Sequence, residues 1–178
     1  MESDVVATVR EVIRNRRSVR SGYTGEQVPI AILRDIVEAG VYAPTGGNTQ
    51  GVRFQIHGPS FARVRPGMSA NASAFIVVMA EPQPGYWSKL ASQDCAAAIQ
   101  NMMLMASAHG VASCWFSAYA DMDGTFRMKD MKWSDVLPQK GNLQPFGILQ
   151  LGYSTRMQGD VEHRGRKVER NELEAYLI

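Results

Sequence analysis

The chain has 178 residues, of which 45% are hydrophobic and 20% charged, so it can build a sizeable core and is not disordered as a whole. Its 19 basic and 17 acidic side chains give a formal net charge of +2, well below the positive charge typical of nucleic-acid-binding domains. No apolar run could span a membrane, no signal-peptide pattern is present, and two cysteines are too few for a disulfide framework or a zinc site. We expect a single cytoplasmic domain over residues 1–178 that binds no metal and contacts neither nucleic acid nor membrane.

The first half of the chain predicts two helices and two strands. Apolar residues at three- and four-residue steps indicate a helix over about residues 3–15 and a second helix after Pro29. Gly40 either ends the second helix or lies one turn before its end. The strands are predicted at 53–57 and 74–80, and the second is apolar enough to be buried on both faces.

The second half predicts a long central helix and further strands. The helix covers about residues 92–109, is apolar on almost every side and ends at Gly110. Two strands, over 112–119 and 147–153, and a short C-terminal helix over 169–177 follow it. Because strands and helices do not alternate regularly, the pattern favours an α+β fold over a doubly wound parallel sheet.

Signature motifs of several enzyme classes are absent from the sequence. The chain has neither the G-x-G-x-x-G fingerprint of dinucleotide-binding folds nor a P-loop, and it lacks the G-x-S-x-G elbow of many hydrolases. Its three histidines do not have the paired spacing of metal ligands. Hydrolase and metalloenzyme functions therefore have little support.

Eight basic residues form two short clusters at opposite ends of the chain. The clusters comprise Arg14, Arg16, Arg17 and Arg20 near the N-terminus and Arg164, Arg166, Lys167 and Arg170 near the C-terminus. In an extended segment Arg16, Ser18 and Arg20 would share one side, and converging guanidinium and hydroxyl groups suit a phosphate monoester. The alternative for the first cluster is a positively charged helix C-terminus, and for the second a solvated surface.

Two further segments contain residues suited to ligand contacts. In the loop from Ala43 to Gln50, glycines permit close backbone approach and the amide side chains suit a polar heterocycle, although ordinary loops share this composition. The segment from Gly110 to Phe116 passes from a helix end into a strand. Its Cys114 has no neighbouring base or cation that would favour a thiolate, so we expect it in the core.

Taken in order, these segments resemble the FMN-dependent nitroreductase family over about residues 8–175. The family pattern contains R-R-S-x-R after the first helix, A-P-S/T-x-x-N-x-Q after the second, an acidic residue at the start of a central helix, G-x-x-S-C-W, and an Arg-containing C-terminal tail. The matching residues here are Arg16–Arg20, Ala43–Gln50, Asp94, Gly110–Trp115, and Arg164 and Arg166 after Gly152-Tyr153.

The resemblance implies an α+β fold with a mainly antiparallel central sheet flanked by helices, and an intertwined homodimer with FMN at the interface. It implies tightly bound FMN, NADH or NADPH as reductant, and ping-pong hydride transfer to a small electron acceptor such as a nitroaromatic or a quinone. No catalytic side chain is implied, because the flavin performs the chemistry. Arg20 is the candidate for electrostatic stabilisation of the reduced flavin.

The resemblance also implies a set of cofactor-binding residues. The phosphate, the ribityl chain and the pyrimidine edge would be contacted by Arg16, Arg17, Ser18 and Arg20, and the phosphate also by Arg164 and Arg166. The flavin of the partner subunit would lie against Pro44, Thr45, Gly46, Asn48 and Gln50. The strand residues near the ring would be Ser113, Cys114 and Trp115.

The chain departs from the family pattern at Gly51-Val52, where many members have Pro-Trp, and over 119–143, where a Gly-rich flavin-contacting stretch has no clear equivalent. These departures leave the substrate open. One alternative is a specialised FMN enzyme of the same fold, such as a dehydrogenase, a dehalogenase or a flavin-degrading enzyme. Others are a flavin-binding protein without NAD(P)H turnover and an anion-binding regulatory module without flavin.

Overall fold

The computed structural model describes residues 4–64, 67–120, 126–128, 131–132, 142–156, 162–163, 166–167 and 175. Its α-helices are α1 (Asp4–Asn15), α2 (Ile30–Val41) and α3 (Ala91–Ala108). Its strands are β1 (Val52–His57), β2 (Ala74–Ala80), β3 (Ala112–Ser117), β4 (Tyr119–Ala120), β5 (Phe126–Met128), β6 (Met131–Lys132), β7 (Gln144–Gly152), β8 (Glu162–His163) and β9 (Arg166–Lys167). Short 3₁₀ helices cover Gly46–Asn48, Pro59–Val64 and Gly85–Leu90.

The central sheet has the strand order β1-β2-β7-β3. Every pair in it is antiparallel, and β7, which comes last of the four in the chain, lies between β2 and β3. All residues of β2 except Met79 are buried, as its continuous apolar sequence predicts, because both faces of the sheet are covered. The antiparallel sheet and its packed helices confirm the α+β fold. Strands β4–β6 form a second small sheet, and β8 pairs with β9.

The core has one apolar layer on each face of the central sheet. On one face α2 and α3 pack against alternate residues of the strands, so that Ile99 and Ile76 are fully buried together. On the other face Phe75 packs in a layer that includes Val19 and Tyr23. The second layer therefore holds the segment that follows α1 against the sheet.

Helix α1 forms where the apolar spacing predicts it, but none of its residues is buried. Its apolar stripe comprises Val5, Val6, Val9 and Ile13, with exposed fractions of 71%, 47%, 52% and 53%. An amphipathic helix normally buries such a stripe against a partner. Within this chain the stripe of α1 remains exposed.

Two elements differ in detail from the pattern that the sequence indicates. Gly40 lies one residue before the end of α2, and an added Cβ would be 2.9 Å from Met102 Cγ, so glycine lets α2 approach α3 closely. The strand predicted over 112–119 ends at Ser117, and Tyr119 begins a separate small sheet, although the Ala118 N–H still donates to the Phe146 carbonyl of β7 at 2.7 Å. The helix predicted over 169–177 lies outside the described residues, apart from residue 175.

Candidate cofactor site

The Arg-rich segment after α1 runs along the edge of the central sheet. Ser18 forms a parallel β-bridge with Ser113 of β3, and the Val19 N–H donates to the Ser113 carbonyl at 2.8 Å. Val19 is buried, whereas Ser18 is half-buried and Arg20 is exposed. This alternation follows from extended backbone, in which successive side chains point to opposite sides. The structure therefore brings together two of the segments that the resemblance implies for flavin binding.

Tyr23 anchors the Arg-rich segment to the core. Its hydroxyl donates to the Val19 carbonyl at 2.8 Å, and its ring is buried. Burial raises the pKa of Tyr23 above its ordinary value, although the neighbouring Gln150 side chain acts in the opposite direction. The hydroxyl therefore stays protonated and remains a donor to Val19.

The arginines of this segment have different surroundings. Arg17 donates to the Arg14 carbonyl and, at 3.0 Å, to the Arg16 carbonyl, so its guanidinium covers carbonyl groups at the end of α1. This contact is the one expected for a basic side chain at a helix C-terminus. Arg16 is half-buried. Arg20 is exposed and has no hydrogen-bond or ion-pair partner among the described residues, so its guanidinium is available to an anion.

The chain that follows β7 begins beside the same segment. The Thr155 N–H donates to the Gly22 carbonyl at 3.0 Å. Of the two C-terminal arginines implied at the phosphate, Arg164 lies outside the described residues. Arg166 lies in β9, where its backbone pairs with His163 of β8.

The loop after α2 has an uncommon backbone conformation. Asn48 and Gln50 have φ values of 54° and 52°, a left-handed region that residues other than glycine rarely adopt. Thr45 stabilises the turn, because its carbonyl accepts from the Asn48 N–H at 2.9 Å and its Oγ1 accepts from the Gln50 N–H at 3.0 Å. Pro44, Asn48 and Gln50 are exposed, so their side chains can reach a ligand.

Three contacts fix this loop to the segment that leads into α3. Added Cβ atoms at Gly46 and Gly47 would lie 2.5 Å from Leu90 Cδ1 and 2.9 Å from the Trp87 ring. The Gly46 N–H donates to Asp94 Oδ1 at 2.9 Å. Asp94 lies in the first turn of α3 and is only 9% exposed. The position of the loop therefore depends on the residues between 87 and 94.

Sequence reasoning identified Asp94 only as the acidic residue of the central helix, and it missed Trp87 and Leu90. The adjacent glycines at 46 and 47 were the available signal, since glycine often marks a close approach of two segments. Tyr86 and Trp87 also form an edge-to-face pair with ring centroids 5.4 Å apart, and both are exposed. Which segment meets the glycines is decided by the tertiary fold, which no local pattern encodes.

The implied strand residues alternate across β3. Ser113 and Cys114 are buried, and the burial of Cys114 agrees with the core position expected for it. Trp115 packs on Phe146 with ring centroids 5.6 Å apart, and its Nε1 is buried without a hydrogen-bond partner in the described part of the chain. The indole lies against Gly147, where an added Cβ would be 2.6 Å from Nε1. Trp115 therefore has a fixed position on β7 and one unused donor.

Three further findings concern metal ligands, a buried cysteine and membrane helices in the described ranges. No three His, Cys, Asp or Glu side chains there are grouped so as to hold a metal ion. Burial, with a smaller contribution from the charge of Asp94, raises the pKa of Cys95 to about 12, so this thiol is not a nucleophile. None of the described helices combines the length and apolarity that crossing a bilayer requires.

The implied cofactor residues fall into two groups at opposite ends of α3. The loop over 44–50 meets the first turn of α3 through Asp94, whereas Ser18 and Ser113 lie where the chain leaves the other end and enters β3. Helix α3 has 18 residues, and a helix of that size is about 27 Å long. Because Asp94 lies in its first turn and Ser113 follows its other end, the two groups lie toward opposite ends of this helix.

The chain matches the model of the nitroreductase family over residues 13–76 and 57–153. A protein of Archaeoglobus fulgidus with the provisional name NADH dehydrogenase/NAD(P)H nitroreductase is 32% identical over 151 residues, which cover 80% of this chain and 83% of that protein. A provisionally named nitroreductase from Desulfovibrio desulfuricans, solved in complex with FMN, has 24% identity and a TM-score of 0.76, and the match covers 100% of this chain and 97% of that one. A nitroreductase from Bacteroides fragilis with bound FMN has 27% identity and a TM-score of 0.65, with 96% of both chains covered. The family match and the Archaeoglobus relative together show that this chain belongs to the nitroreductase family.

Proposed function

We propose that this protein is an FMN-dependent oxidoreductase that uses NADH or NADPH to reduce small electron acceptors such as nitroaromatics or quinones. The bridge between Ser18 and Ser113 carries the proposal, because it places the Arg-rich segment beside the strand implied to lie near the flavin ring. The names of the relatives and the FMN bound in two similar structures agree with it.

The chemistry of the side chains in these segments fits FMN. The guanidinium of Arg20 and the hydroxyl of Ser18 suit a phosphate group, which binds charged and neutral donors. The amide groups of Asn48 and Gln50 can both donate and accept hydrogen bonds, as the polar edge of a flavin requires. The residues proposed for the phosphate, the ribityl chain and the pyrimidine edge are Arg16, Arg17, Ser18 and Arg20, with Arg20 at the pyrimidine edge, and Arg164 and Arg166 are proposed at the phosphate. Those proposed at the ring are Pro44, Thr45, Gly46, Asn48, Gln50, Ser113, Cys114 and Trp115.

Bound FMN would accept a hydride from NAD(P)H in one half-reaction and pass electrons to the acceptor in the other. The residues of this chain would bind FMN and orient it. Tyr23 holds the Val19 carbonyl, which keeps Ser18 and Arg20 on the outer side of the extended segment. Arg20 keeps a positive charge at the site and so stabilises negative charge that develops there.

We propose that the active form is a homodimer with the cofactor at the interface. The loop over 44–50 and the Arg-rich segment lie toward opposite ends of α3, and this separation supports the proposal that the two contact one flavin from different subunits. The exposed apolar stripe of α1 is a further reason, because a dimer can bury it. The proposal includes a single domain over 1–178 and a cytoplasmic location, where NAD(P)H is available.

The visible absorption spectrum of the purified protein, before and after anaerobic NADH or NADPH, tests this function. We expect a flavin spectrum that bleaches with a reductant and returns when a nitroaromatic or a quinone is added. A flavin spectrum that neither reductant bleaches would refute turnover with NAD(P)H and favour a flavin-binding role. A colourless protein that binds no added FMN would refute the proposal altogether.

A further inference from the structure

We propose that Asp94 is a positioning residue that holds the loop over Thr45–Gln50 in the conformation required for flavin contact. The inference rests on the proposed function, because it assigns a role in cofactor binding to a residue outside the implied contact set. Asp94 Oδ1 accepts from the Gly46 N–H at 2.9 Å across 48 positions of sequence. Asp94 would affect the cofactor through the backbone of the loop and not by direct contact.

The direction of this hydrogen bond argues for a role beyond helix stability. A carboxylate in the first turn of a helix commonly caps the free N–H groups of its own helix. Here the residue at the N-cap of α3 is Leu90, and no side chain caps that end. The buried carboxylate of Asp94 instead satisfies a donor of the loop, and a charged acceptor makes such a bond stronger than a neutral one would.

The loop needs an external support because its backbone is strained. Asn48 and Gln50 both occupy the left-handed region, which persists in residues other than glycine only when the surroundings hold it. Within the loop, Thr45 provides two hydrogen bonds to this turn. From outside, Asp94 fixes the first residue of the turn, Gly46, and Arg53 donates to the Gln50 carbonyl at 2.8 Å at the other end. The strained residues thus lie between two charged anchors.

The packing of the loop links its position to the hydrogen bond with Asp94. Gly46 rests against Leu90 and Gly47 against the Trp87 ring, with no room for a side chain at either position. The loop therefore lies on the surface formed by residues 87–90, and the Asp94 hydrogen bond fixes its register on that surface. Loss of this bond should allow the exposed amides of Asn48 and Gln50 to leave the orientation that a ligand needs.

The test compares Asp94→Ala, Asp94→Asn and Cys95→Ala. Asn retains an acceptor oxygen for the Gly46 N–H, whereas Ala removes it. Cys95 lies in the same turn of α3 and is fully buried, so Cys95→Ala is a matched control for general destabilisation. Two quantities are measured: hydrogen exchange of the peptide that covers residues 44–52 in the FMN-free protein, and the Kd for FMN from flavin fluorescence.

We expect Asp94→Ala to raise exchange in the 44–52 peptide and to weaken FMN binding by roughly tenfold or more, as the loss of a charge-assisted hydrogen bond predicts. Asp94→Asn should restore affinity to within about threefold of wild type, because its amide oxygen still accepts. Cys95→Ala should lower the stability of the protein while leaving the loop exchange and the Kd unchanged. Equal effects of Asp94→Ala and Cys95→Ala on both quantities would overturn the inference.

A second variant covers the case in which Asp94→Ala does not fold. Gly47→Ala, at a residue outside the implied contact set, places a Cβ 2.9 Å from the Trp87 ring on backbone with a φ of 59°, so it should displace the loop and reproduce the rise in exchange and the loss of affinity. Unchanged FMN affinity in this variant would also overturn the inference. Failure of the wild-type protein to bind FMN would refute the proposed function, whereas normal wild-type binding with an unchanged Kd in Asp94→Ala would refute only the role of Asp94.

Discussion

Ser18 and Ser113 form a parallel β-bridge that joins the segment after α1 to the edge of β3. The bridge places the side chain of Ser18 and that of Arg20 on the outer side of the segment, while Val19 enters the core. A site built in this way uses buried residues to fix exposed ones. The proposed binding residues can therefore be changed without loss of the fold, which makes the prediction for Arg20 testable.

Arg20→Ala should weaken FMN binding while leaving the stability of the FMN-free protein unchanged. The guanidinium is exposed and has no partner in the described part of the chain, so the fold loses no contact. A lost charge-assisted hydrogen bond costs about 1.5–3 kcal/mol, or roughly a 10- to 150-fold rise in Kd. Fluorescence titration with FMN measures this change. Arg63→Ala, an exposed arginine of a 3₁₀ helix outside the proposed site, is the control, and an equal Kd in both variants would contradict the assignment.

Val9→Lys should convert the proposed dimer into a monomer, because it puts a charge in the middle of the apolar stripe of α1. Val9 is 52% exposed in the single chain, so the substitution removes no core contact within it. Light scattering after size-exclusion chromatography gives the mass in solution. Ala7→Lys adds the same charge on the opposite side of α1 and should leave the dimer intact. A Val9→Lys protein that keeps the dimer mass would show that the stripe is not the interface.

Acidification should destabilise the protein partly through His57. Its ring stacks on Phe61 with centroids 4.2 Å apart, and burial lowers its pKa below the ordinary value of 6.5. The unfolded state then binds a proton more readily than the folded state. The contribution of neutral His57 to the free energy of unfolding is therefore fully present above about pH 6.5, and it is lost as the pH drops through the folded-state pKa. Urea denaturation at several pH values between 8 and about 5 measures this slope.

His57→Phe retains an aromatic ring beside Phe61 but cannot be protonated, so its stability should depend less on pH than that of the wild type. His109→Gln is the control for the loss of a histidine in general, because His109 lies elsewhere in the fold, where it contacts Asp35 at 3.3 Å and both side chains are partly exposed. Wild-type pH dependence in His57→Phe would show that His57 does not contribute.

Gly40→Ala should destabilise the protein even though alanine favours helices by about 1 kcal/mol over glycine. The new Cβ would lie 2.9 Å from Met102 Cγ and 3.1 Å from the Phe54 ring, and overpacking of this kind costs about 1–3 kcal/mol. Urea denaturation measures the difference. Gly58→Ala is the control, since a Cβ there meets no atom within 4 Å. A neutral or stabilising Gly40→Ala would show that α2 and α3 can separate without cost.

The sequence predicts those elements whose residues repeat with a simple period. Helices α1 and α3 and strand β2 lie within one or two residues of their predicted bounds, because apolar spacing alone defines them. The end of β3 at Ser117 was not predictable, since Tyr119 leaves the central sheet and pairs with Arg127 of β5, a residue to which no local pattern links it.

The candidate site also combines features that local patterns indicate with features that depend on contacts between distant segments. The bridge between Ser18 and Ser113 agrees with the family resemblance, which implies that both segments lie near the flavin. The support of the loop by Trp87, Leu90 and Asp94 was missed, because it arises from contacts between segments that the tertiary fold brings together. Local patterns suggest candidate contact residues more readily than they suggest the residues that position them.

The position of β7 between β2 and β3 has a consequence for synthesis of the protein on the ribosome. Strand β7 is the last of the four to be made, yet it pairs with both neighbours, so β2 and β3 each lack one partner until residues 144–152 emerge. During that interval two apolar strand edges are open to pairing with other chains. The yield of folded protein should therefore depend on how quickly this stretch is translated, and chains interrupted before it should aggregate.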